Sequence, residues 1–248
     1  MIFKKDDLEF ELLNGSKKSD INLVYIHGSG CDKRFLRALA DQTNEYDCYL
    51  LDLPGHGGSD DTGYTVDNYI NSIYSFVKDL KNVILIGHSL GGTLALSVLS
   101  KKLPDIKGSV IISSTANFYK LDKTFMEKIH AGIIDMNYLI ECTGNPNDPL
   151  AIEAISYIGP PETIIEDFLI DEMVNVEYCL KDINVPTIII TGEDEILTLV
   201  EYSEYLNRHI KGSELIIFPN ERHMLPITQR EQIGKIIMNL TASIDKAF

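Results

Sequence analysis

Short runs of apolar, largely β-branched residues alternate along the chain with longer segments in which apolar positions recur every three to four residues. Such runs are typical of buried strands, and the longer spacing is typical of amphipathic helices. The predicted strands are residues 23–26, 48–52, 83–86, 109–113, 187–191 and 214–218. The predicted helices are residues 34–42, 66–80, 90–101, 199–208 and 227–244. This alternation predicts an α/β fold, a mainly parallel sheet covered by helices on both faces.

Two segments depart from the alternation. Residues 8–13 are predicted to form an antiparallel edge strand. Residues 117–182 separate two predicted strands, although loops in such folds usually hold roughly two to six residues. Their helix-like stretches are residues 124–134, 150–158 and 163–178. The prolines that favour breaks between them are Pro146, Pro149, Pro160 and Pro161.

We therefore predict a helical lid at residues 117–182, inserted in a core formed by residues 1–116 and 183–248. The alternative is a helical insertion without a role at the active site. The apolar residues of the lid suggest a pocket for an uncharged acyl or alkyl group. The apolar lid residues expected either to line that pocket or to pack the lid against the core are Phe125, Met126, Ile133, Ile134, Met136, Tyr138 and Leu139.

The strongest local motif is G-x-S-x-G, which runs from Gly87 to Gly91 with Ser89 at its centre. It follows a buried-strand run and precedes an apolar helix. A serine on such a sharp turn is forced into a strained backbone conformation and projects its hydroxyl from the end of the sheet. A Cβ on either glycine would collide with the neighbouring strand and helix. The motif therefore predicts that Ser89 is a nucleophile.

An earlier strand runs directly into His27-Gly28-Ser29-Gly30. Acyl transfer creates an oxyanion that needs backbone N–H donors fixed in advance. We predict one donor at the amide of Ser29 and the other at the amide of Leu90, immediately after the nucleophile. His27 is expected to be a structural hydrogen-bonding residue.

The general base is predicted to be His223, in the loop that follows the strand at residues 214–218. A histidine beyond the carboxyl end of a strand can reach a nucleophile at the same sheet edge. The other histidines fit this role less well. They are His27, His56, His88, His130 and His209.

The acid that orients the base is predicted in the loop after residues 187–191, where Glu193, Asp194 and Glu195 compete for one position. Neighbouring side chains project in different directions, so only one of them should meet the imidazole Nδ1.

The net charge and the composition exclude some classes of binding partner for this chain. The 22 Lys and Arg residues stand against 37 Asp and Glu residues, a formal net charge of −15, and this field repels phosphate backbones and anionic lipid surfaces. We expect no nucleic-acid partner and, without a run of about 18 apolar residues, no stable membrane insertion. The N-terminal segment carries charges where a signal peptide is apolar, so a cytoplasmic location is expected.

The four cysteines show no C-x-x-C spacing, so neither a disulfide framework nor a zinc site is expected. They are Cys31, Cys48, Cys142 and Cys179.

Together these motifs resemble the α/β-hydrolase family, in particular its lidded esterase, lipase and thioesterase branches. The resemblance spans about residue 23 to the C-terminus and includes the order serine, acid, histidine. The lid matches no specific relative. The motifs that carry it are His27-Gly28-x-Gly30, LDLPGHGGS at residues 51–59, Gly87-His88-Ser89-Leu90-Gly91-Gly92, Val185-Pro186 and Arg222-His223.

The resemblance implies an acid three positions after the glycine that ends its strand, which selects Glu195 in place of the commoner Asp. A shift of the loop by one residue would select Asp194, and the proline that often follows the acid is missing here. The resemblance also implies hydrolysis of a small-molecule ester through an acyl-enzyme, without a metal or an organic cofactor. The alternatives are a thioesterase or C–C bond hydrolase with the same triad, a cofactor-free haloperoxidase, and a ligand-binding member without turnover.

Overall fold

The computed structural model describes residues 1–144, 147 and 149–246. Pro146, one of the predicted helix breaks, lies outside the described residues. Eight strands form one sheet. They are β1 (Ile2–Lys5), β2 (Leu8–Leu13), β3 (Asn22–Ile26), β4 (Asp47–Leu51), β5 (Val83–His88), β6 (Ile106–Ile112), β7 (Thr187–Gly192) and β8 (Glu214–Phe218).

The strand order is β1-β2-β4-β3-β5-β6-β7-β8. The strands from β3 to β8 run parallel, whereas β1 and β2 are antiparallel. This confirms the predicted fold class. β2 is antiparallel as expected but is not the edge strand, because β1 pairs with its outer side. β1 escaped prediction because it is exposed over most of its length and has no buried face to impose an alternation.

Helices cover both faces of the sheet. Among the described residues the α-helices are α1 (Arg37–Ala40), α2 (Val66–Val77), α3 (Leu90–Ser100), α4 (Lys123–His130), α5 (Met136–Cys142), α6 (Pro149–Ile155), α7 (Pro161–Met173), α8 (Val200–His209), α9 (Leu225–Thr228) and α10 (Arg230–Asp245). The 3-10 helices are Lys33–Leu36, Asp41–Thr43 and Glu177–Asp182. The predicted helix at 34–42 is therefore a chain of three short turns, and the one at 227–244 is divided at Gln229.

The sheet has a hydrophobic core on each face. On one face, α2 and α3 pack on strand residues such as Val24 and Leu85. On the other face, α10 and the segment around Phe35 pack on residues such as Tyr25 and Ile86. Because adjacent residues of a strand project to opposite faces, both Val24 and Tyr25 are buried. The central strands thus read as continuous apolar runs.

Residues 117–182, which we call the insertion, contain α4 to α7 and the last 3-10 helix. A β-bridge between Asn117 and Asn175 brings the two ends of its helical part together. The insertion has a small apolar core of its own that includes Phe125, Ile129 and Phe168. The predicted helix at 163–178 ends at Met173, because Val174 is extended and the next segment bonds back to the core.

α5 was not predicted. Its seven residues are too few to display a clear helical period, and it starts from the side chain of Asp135, which accepts a hydrogen bond from the amide of Tyr138. The predicted division of the chain into core and lid stays a prediction.

Candidate active site

Ser89 lies at the turn between β5 and α3, at the carboxyl edge of the sheet. Its backbone has φ 54° and ψ −126°, a conformation that costs a non-glycine residue on the order of 1–3 kcal/mol. Hydrogen bonds hold it there. The amide donates to the Ile112 carbonyl (3.0 Å), and the carbonyl accepts from the Gly92 amide (2.9 Å) and the Ser114 hydroxyl (2.7 Å).

The glycines on either side of Ser89 allow this turn. A Cβ on Gly87 would lie 2.5 Å from the carbonyl oxygen of Gly91, and a Cβ on Gly91 would collide with the carbonyl oxygen of Ile26. The N-terminal turn of α3 therefore packs directly on two strands, as the motif predicts, and only glycine fits at these positions.

The imidazole of His223 and the carboxylate of Glu195 are joined by a hydrogen bond of 2.8 Å between Nδ1 and Oε2. Because an ionised carboxylate only accepts, Nδ1 carries the hydrogen and Nε2 of the neutral ring keeps its lone pair. The Thr198 hydroxyl also donates to Glu195 Oε2, at 2.6 Å. Burial alone would raise the pKa of Glu195, but His223 and Thr198 outweigh it and hold that pKa below its usual range.

The other two acids of the loop are exposed to solvent. Glu193 accepts a hydrogen bond from the amide of Asn220 at 3.3 Å. The amide of Asp194 donates to the carbonyl of Glu221 at 2.9 Å. Of the three acids that competed in the sequence, the structure brings Glu195 to the imidazole and leaves Asp194 and Glu193 outside.

The backbone of His223 is held on both sides. Its amide donates to the carbonyl of Cys142 (3.2 Å), at the end of α5, and its carbonyl lies 2.9 Å from Nε2 of His88. Since a carbonyl can only accept, His88 Nε2 carries the hydrogen. Burial, with the nearby His223 ring, lowers the pKa of His88 well below its usual range, so this ring is neutral. His88, whose neighbour is Ser89, thus helps to fix the predicted base.

Ser89 and His223 line one cavity, with about 500 Å³ of space between protein atoms, part of it open to solvent. The centre of a water-sized sphere can occupy only about 40 Å³ of that space, so the cavity is narrow. No Lys, Arg, Asp or Glu occurs among its described lining residues. These are Gly28, Ser29, Gly30, Cys31, His88, Ser89, Leu139, Cys142, Ile158, Ile164, Phe168, Leu197, His223 and Met224.

Helices of the insertion supply much of this apolar wall, but not through most of the residues considered from the sequence. Of the seven, Leu139 lines the cavity. Phe125 and Met126 are buried inside the insertion, whereas Ile133 and Met136 are exposed on its surface. The wall is formed instead by residues such as Ile164 and Phe168, one turn apart on α7.

The two predicted oxyanion donors flank the nucleophile. Leu90 begins α3, and the loop that contains Ser29 passes so close that a Cβ on Gly28 would lie 2.7 Å from the Cβ of Ser89. Among the described residues, neither the amide of Ser29 nor that of Leu90 donates a hydrogen bond. Both N–H groups are therefore free to donate to a ligand oxygen.

The four remaining histidines are bound elsewhere. His27 accepts from the amide of Leu53 at Nε2 (3.0 Å) and donates from Nδ1 to the Gly28 carbonyl (2.9 Å). His56 contacts Pro54 and Asp167, His130 contacts Glu172, and His209 contacts Tyr205. His27 therefore has structural contacts, next to the loop that contains Ser29.

His27 gives the protein a pH-dependent stability. Burial, with the charge of His56 beside it, lowers the pKa of His27 from 6.5 to about 4. The unfolded chain therefore binds more protons between these values, so this contribution is full above pH 6.5 and is lost as the pH falls towards 4. We expect His27→Gln to flatten the fall in the free energy of unfolding over this interval by up to about 1.4 kcal/mol per pH unit. Urea unfolding at pH 4.5, 5.5 and 6.5 measures it.

His209→Gln is the matched control, since His209 is exposed on α8. Its pH dependence should follow that of the unchanged protein. Equal slopes for the two variants would contradict the assignment to His27.

Three residues that contact the site were missed by the sequence interpretation. Thr198 binds Glu195, as described above. Asp167 and Asp171 of α7 are fully buried and bind the loop that contains Ser29. Their sequence signal is weak, because Glu166 and Glu172 stand directly beside them in the same predicted helix and no local pattern distinguishes the buried acids from the exposed ones.

The model of the "Alpha/beta hydrolase family" matches residues 23–234. The chain belongs to the alpha/beta hydrolase family. This hydrolase is similar to the "Lipase-esterase related protein" of Clostridium acetobutylicum, with a TM-score of 0.90 and 37% identity over 95% of this chain and 100% of that one. The esterase of Exiguobacterium antarcticum has the same fold, with a TM-score of 0.84 and 19% identity over 95% of each chain.

A further relative of the hydrolase is named as a peptidase and not as an esterase. The proline iminopeptidase of Saccharolobus solfataricus is 26% identical over 89% of this chain and 84% of its own length. Relatives of this hydrolase thus include proteins named as esterases and as a peptidase. None of the helices in the described part of the chain is long and apolar enough to cross a membrane.

Proposed function

We propose that this hydrolase cleaves carboxylic esters of small to medium apolar acyl or alkyl groups, with Ser89 as nucleophile, His223 as base and Glu195 as the orienting acid. The observation that carries the proposal is the 2.8 Å bond from His223 Nδ1 to Glu195, together with one apolar cavity lined by both His223 and Ser89. With Nδ1 bound to Glu195, Nε2 is the nitrogen left to take a serine proton.

In the proposed cycle His223 Nε2 takes the proton of the Ser89 hydroxyl as Oγ attacks the carbonyl carbon of the ester. The carbonyl electrons move to oxygen, and the amides of Ser29 and Leu90 donate to this oxyanion. The tetrahedral intermediate expels the alkoxide, which takes the proton from His223 and leaves an acyl group on Ser89. Glu195 stabilises the imidazolium in the interval.

Water completes the reaction by the same steps. His223 removes a proton from the water, the hydroxide attacks the acyl carbon, and the carboxylic acid leaves as Ser89 regains its proton. The two amides serve both halves of the cycle, because each passes through a tetrahedral oxyanion. Fixed donors of this kind are each worth on the order of 3–4 kcal/mol at the transition state.

The cavity wall supports an uncharged substrate. A free ammonium or carboxylate group in this cavity would lose its hydration without gaining a counter-charge from any described lining residue. The name of the similar Clostridium acetobutylicum protein supports ester chemistry. The insertion acts in this proposal as a lid, because Leu139, Ile158, Ile164 and Phe168 close one side of the cavity.

A substrate panel and a covalent label test the function. We expect p-nitrophenyl esters from acetate to hexanoate to be hydrolysed faster than a matched thioester or p-nitroanilide, and an ester with a terminal ammonium to be poor. A fluorophosphonate should label one serine, and peptide mass spectrometry should locate it at Ser89. Labelling of another residue, or turnover restricted to the thioester or anilide, would overturn the proposal.

A further inference from the structure

Asp167 of α7 lies in the interior, and its carboxylate meets three donors from three separate segments of the core. Oδ2 accepts from the Gly30 amide (2.7 Å) and lies 2.8 Å from His56 Nε2, and Oδ1 accepts from the Tyr69 hydroxyl (2.8 Å). The exposed fraction of Asp167 is 0%. A carboxylate at such a depth is retained only when its charge and lone pairs are matched.

The charge of Asp167 is matched by His56. Nδ1 of His56 lies 2.9 Å from the Pro54 carbonyl, which can only accept, so this nitrogen carries a hydrogen. Burial lowers the pKa of His56, but the Asp167 carboxylate more than offsets this and the net pKa is raised. The carboxylate oxygen 2.8 Å from Nε2 can only accept, so Nε2 carries a hydrogen as well, and the two residues form a buried ion pair.

Asp171 stands one turn further along α7 and binds the residue before Gly30. Its Oδ2 accepts from the Ser29 hydroxyl at 2.7 Å. Burial raises the pKa of Asp171 well above its usual range, and the nearby Asp167 adds to this.

These contacts enclose the residue that carries the proposed oxyanion donor. Asp171 fixes the side chain of Ser29, and Asp167 fixes the peptide group that follows it. The Gly159 amide also donates to the Gly30 carbonyl at 2.7 Å. Ser29 lines the cavity, and the groups next to its free amide, which are its own hydroxyl and the amide and carbonyl of Gly30, are bound to the insertion. The orientation of the Ser29 amide therefore depends on the insertion.

We propose that Asp167 and Asp171 are positioning residues, which hold the Ser29 amide where it meets the oxyanion. The proposal rests on the function proposed above. The insertion then has a second role besides lining the cavity, because two of its side chains order the loop of the core that contains Ser29. Loss of either contact should reduce transition-state stabilisation more than ground-state binding.

Asp167→Asn is the first test, because the neutral amide removes the negative charge that faces the His56 imidazole and replaces the acceptor towards the Tyr69 hydroxyl by an NH₂ donor. We expect kcat for p-nitrophenyl acetate to fall about 10- to 100-fold with KM changed less than about threefold. The rate of fluorophosphonate labelling at Ser89 should fall in parallel, because phosphonylation uses the same donors. Glu166→Gln, an exposed neighbour on α7, should match the unchanged enzyme.

Asp171 provides a conservative pair of variants. An asparagine keeps an oxygen for the Ser29 hydroxyl, so Asp171→Asn should retain kcat within about twofold, whereas Asp171→Ala should lose about tenfold. A merely structural role would lower Tm in these variants and leave kcat at 20 °C unchanged. This pair also keeps the proposal testable if Asp167→Asn fails to fold.

The outcomes separate the two proposals. If the unchanged protein hydrolyses no ester and Ser89 is not labelled, the proposed function fails and the positioning role fails with it. If the unchanged protein is active but kcat and labelling are normal in folded Asp167→Asn and Asp171→Ala, only the positioning role is overturned.

Discussion

Ser89→Ala is expected to lower kcat for p-nitrophenyl acetate by at least about 10⁴-fold and to abolish fluorophosphonate labelling. The reason is chemical, since alanine has no Oγ to form the acyl-enzyme, and the two amides alone retain only a weak catalysis of attack by water. The fold should persist, because the hydrogen bonds at this turn use the backbone of Ser89 and not its side chain. Initial rates with the purified variant and a circular dichroism melt measure both effects.

Ser203→Ala is the matched control. Ser203 is also fully buried, but its hydroxyl has no hydrogen-bond partner in the described structure and it lies on α8, away from the cavity lining. Its kcat should stay within about twofold of the unchanged enzyme. Full activity of Ser89→Ala would show that another group attacks the ester, and the proposed mechanism would be wrong.

The part of the site that could be predicted from the sequence is the part specified by local geometry. Gly87, Ser89 and Gly91 belong to one turn, and the crowding around that turn leaves few other residue types possible. The placement of His223 followed from a rule of parallel sheets, that loops at the carboxyl ends of strands meet at one edge. The strand order agrees with this placement, because β7 and β8, whose loops hold Glu195 and His223, lie on the same side of β5, which leads to Ser89.

The parts that escaped prediction depend on contacts distant in sequence. Asp167 meets Gly30 across 137 positions and His56 across 111 positions, so no local pattern connects them. The same holds for β1, whose pairing with β2 and not its own composition makes it a strand. The lid residues were chosen by hydrophobicity alone, and hydrophobicity does not distinguish Phe125, inside the insertion, from Phe168, at the cavity.

Local sequence alone does not decide between the adjacent acids Asp194 and Glu195, whereas their tertiary contacts do. Asp194 and Glu195 differ little in sequence context, and a loop shift of one residue would exchange them. In the structure the loop buries Glu195 and adds a second donor, Thr198, to its carboxylate. A longer side chain than the usual Asp is thus accommodated by a hydroxyl three residues later in the same loop.

Glu195→Gln should therefore lower kcat about 10³-fold, with little change in KM. An uncharged amide stabilises the imidazolium less, and an amide NH₂ turned towards Nδ1 would select the tautomer whose Nε2 carries a hydrogen and cannot take the serine proton. The Thr198 hydroxyl, which donates to Oε2 beside Nδ1, favours the orientation that keeps oxygen there, so some activity should remain. Steady-state kinetics with p-nitrophenyl acetate at a fixed pH measure this loss.

Asp194→Asn is the matched control, one residue away and exposed to solvent, and should keep kcat within about twofold. The two substitutions remove the same charge from the same loop, so a general effect of net charge would lower both activities alike. They differ in that Glu195 is buried and bound to His223 and Thr198, whereas Asp194 is exposed. A large loss in Asp194→Asn with normal activity in Glu195→Gln would mean that the loop is shifted by one residue during catalysis, and the assignment of Glu195 would be wrong.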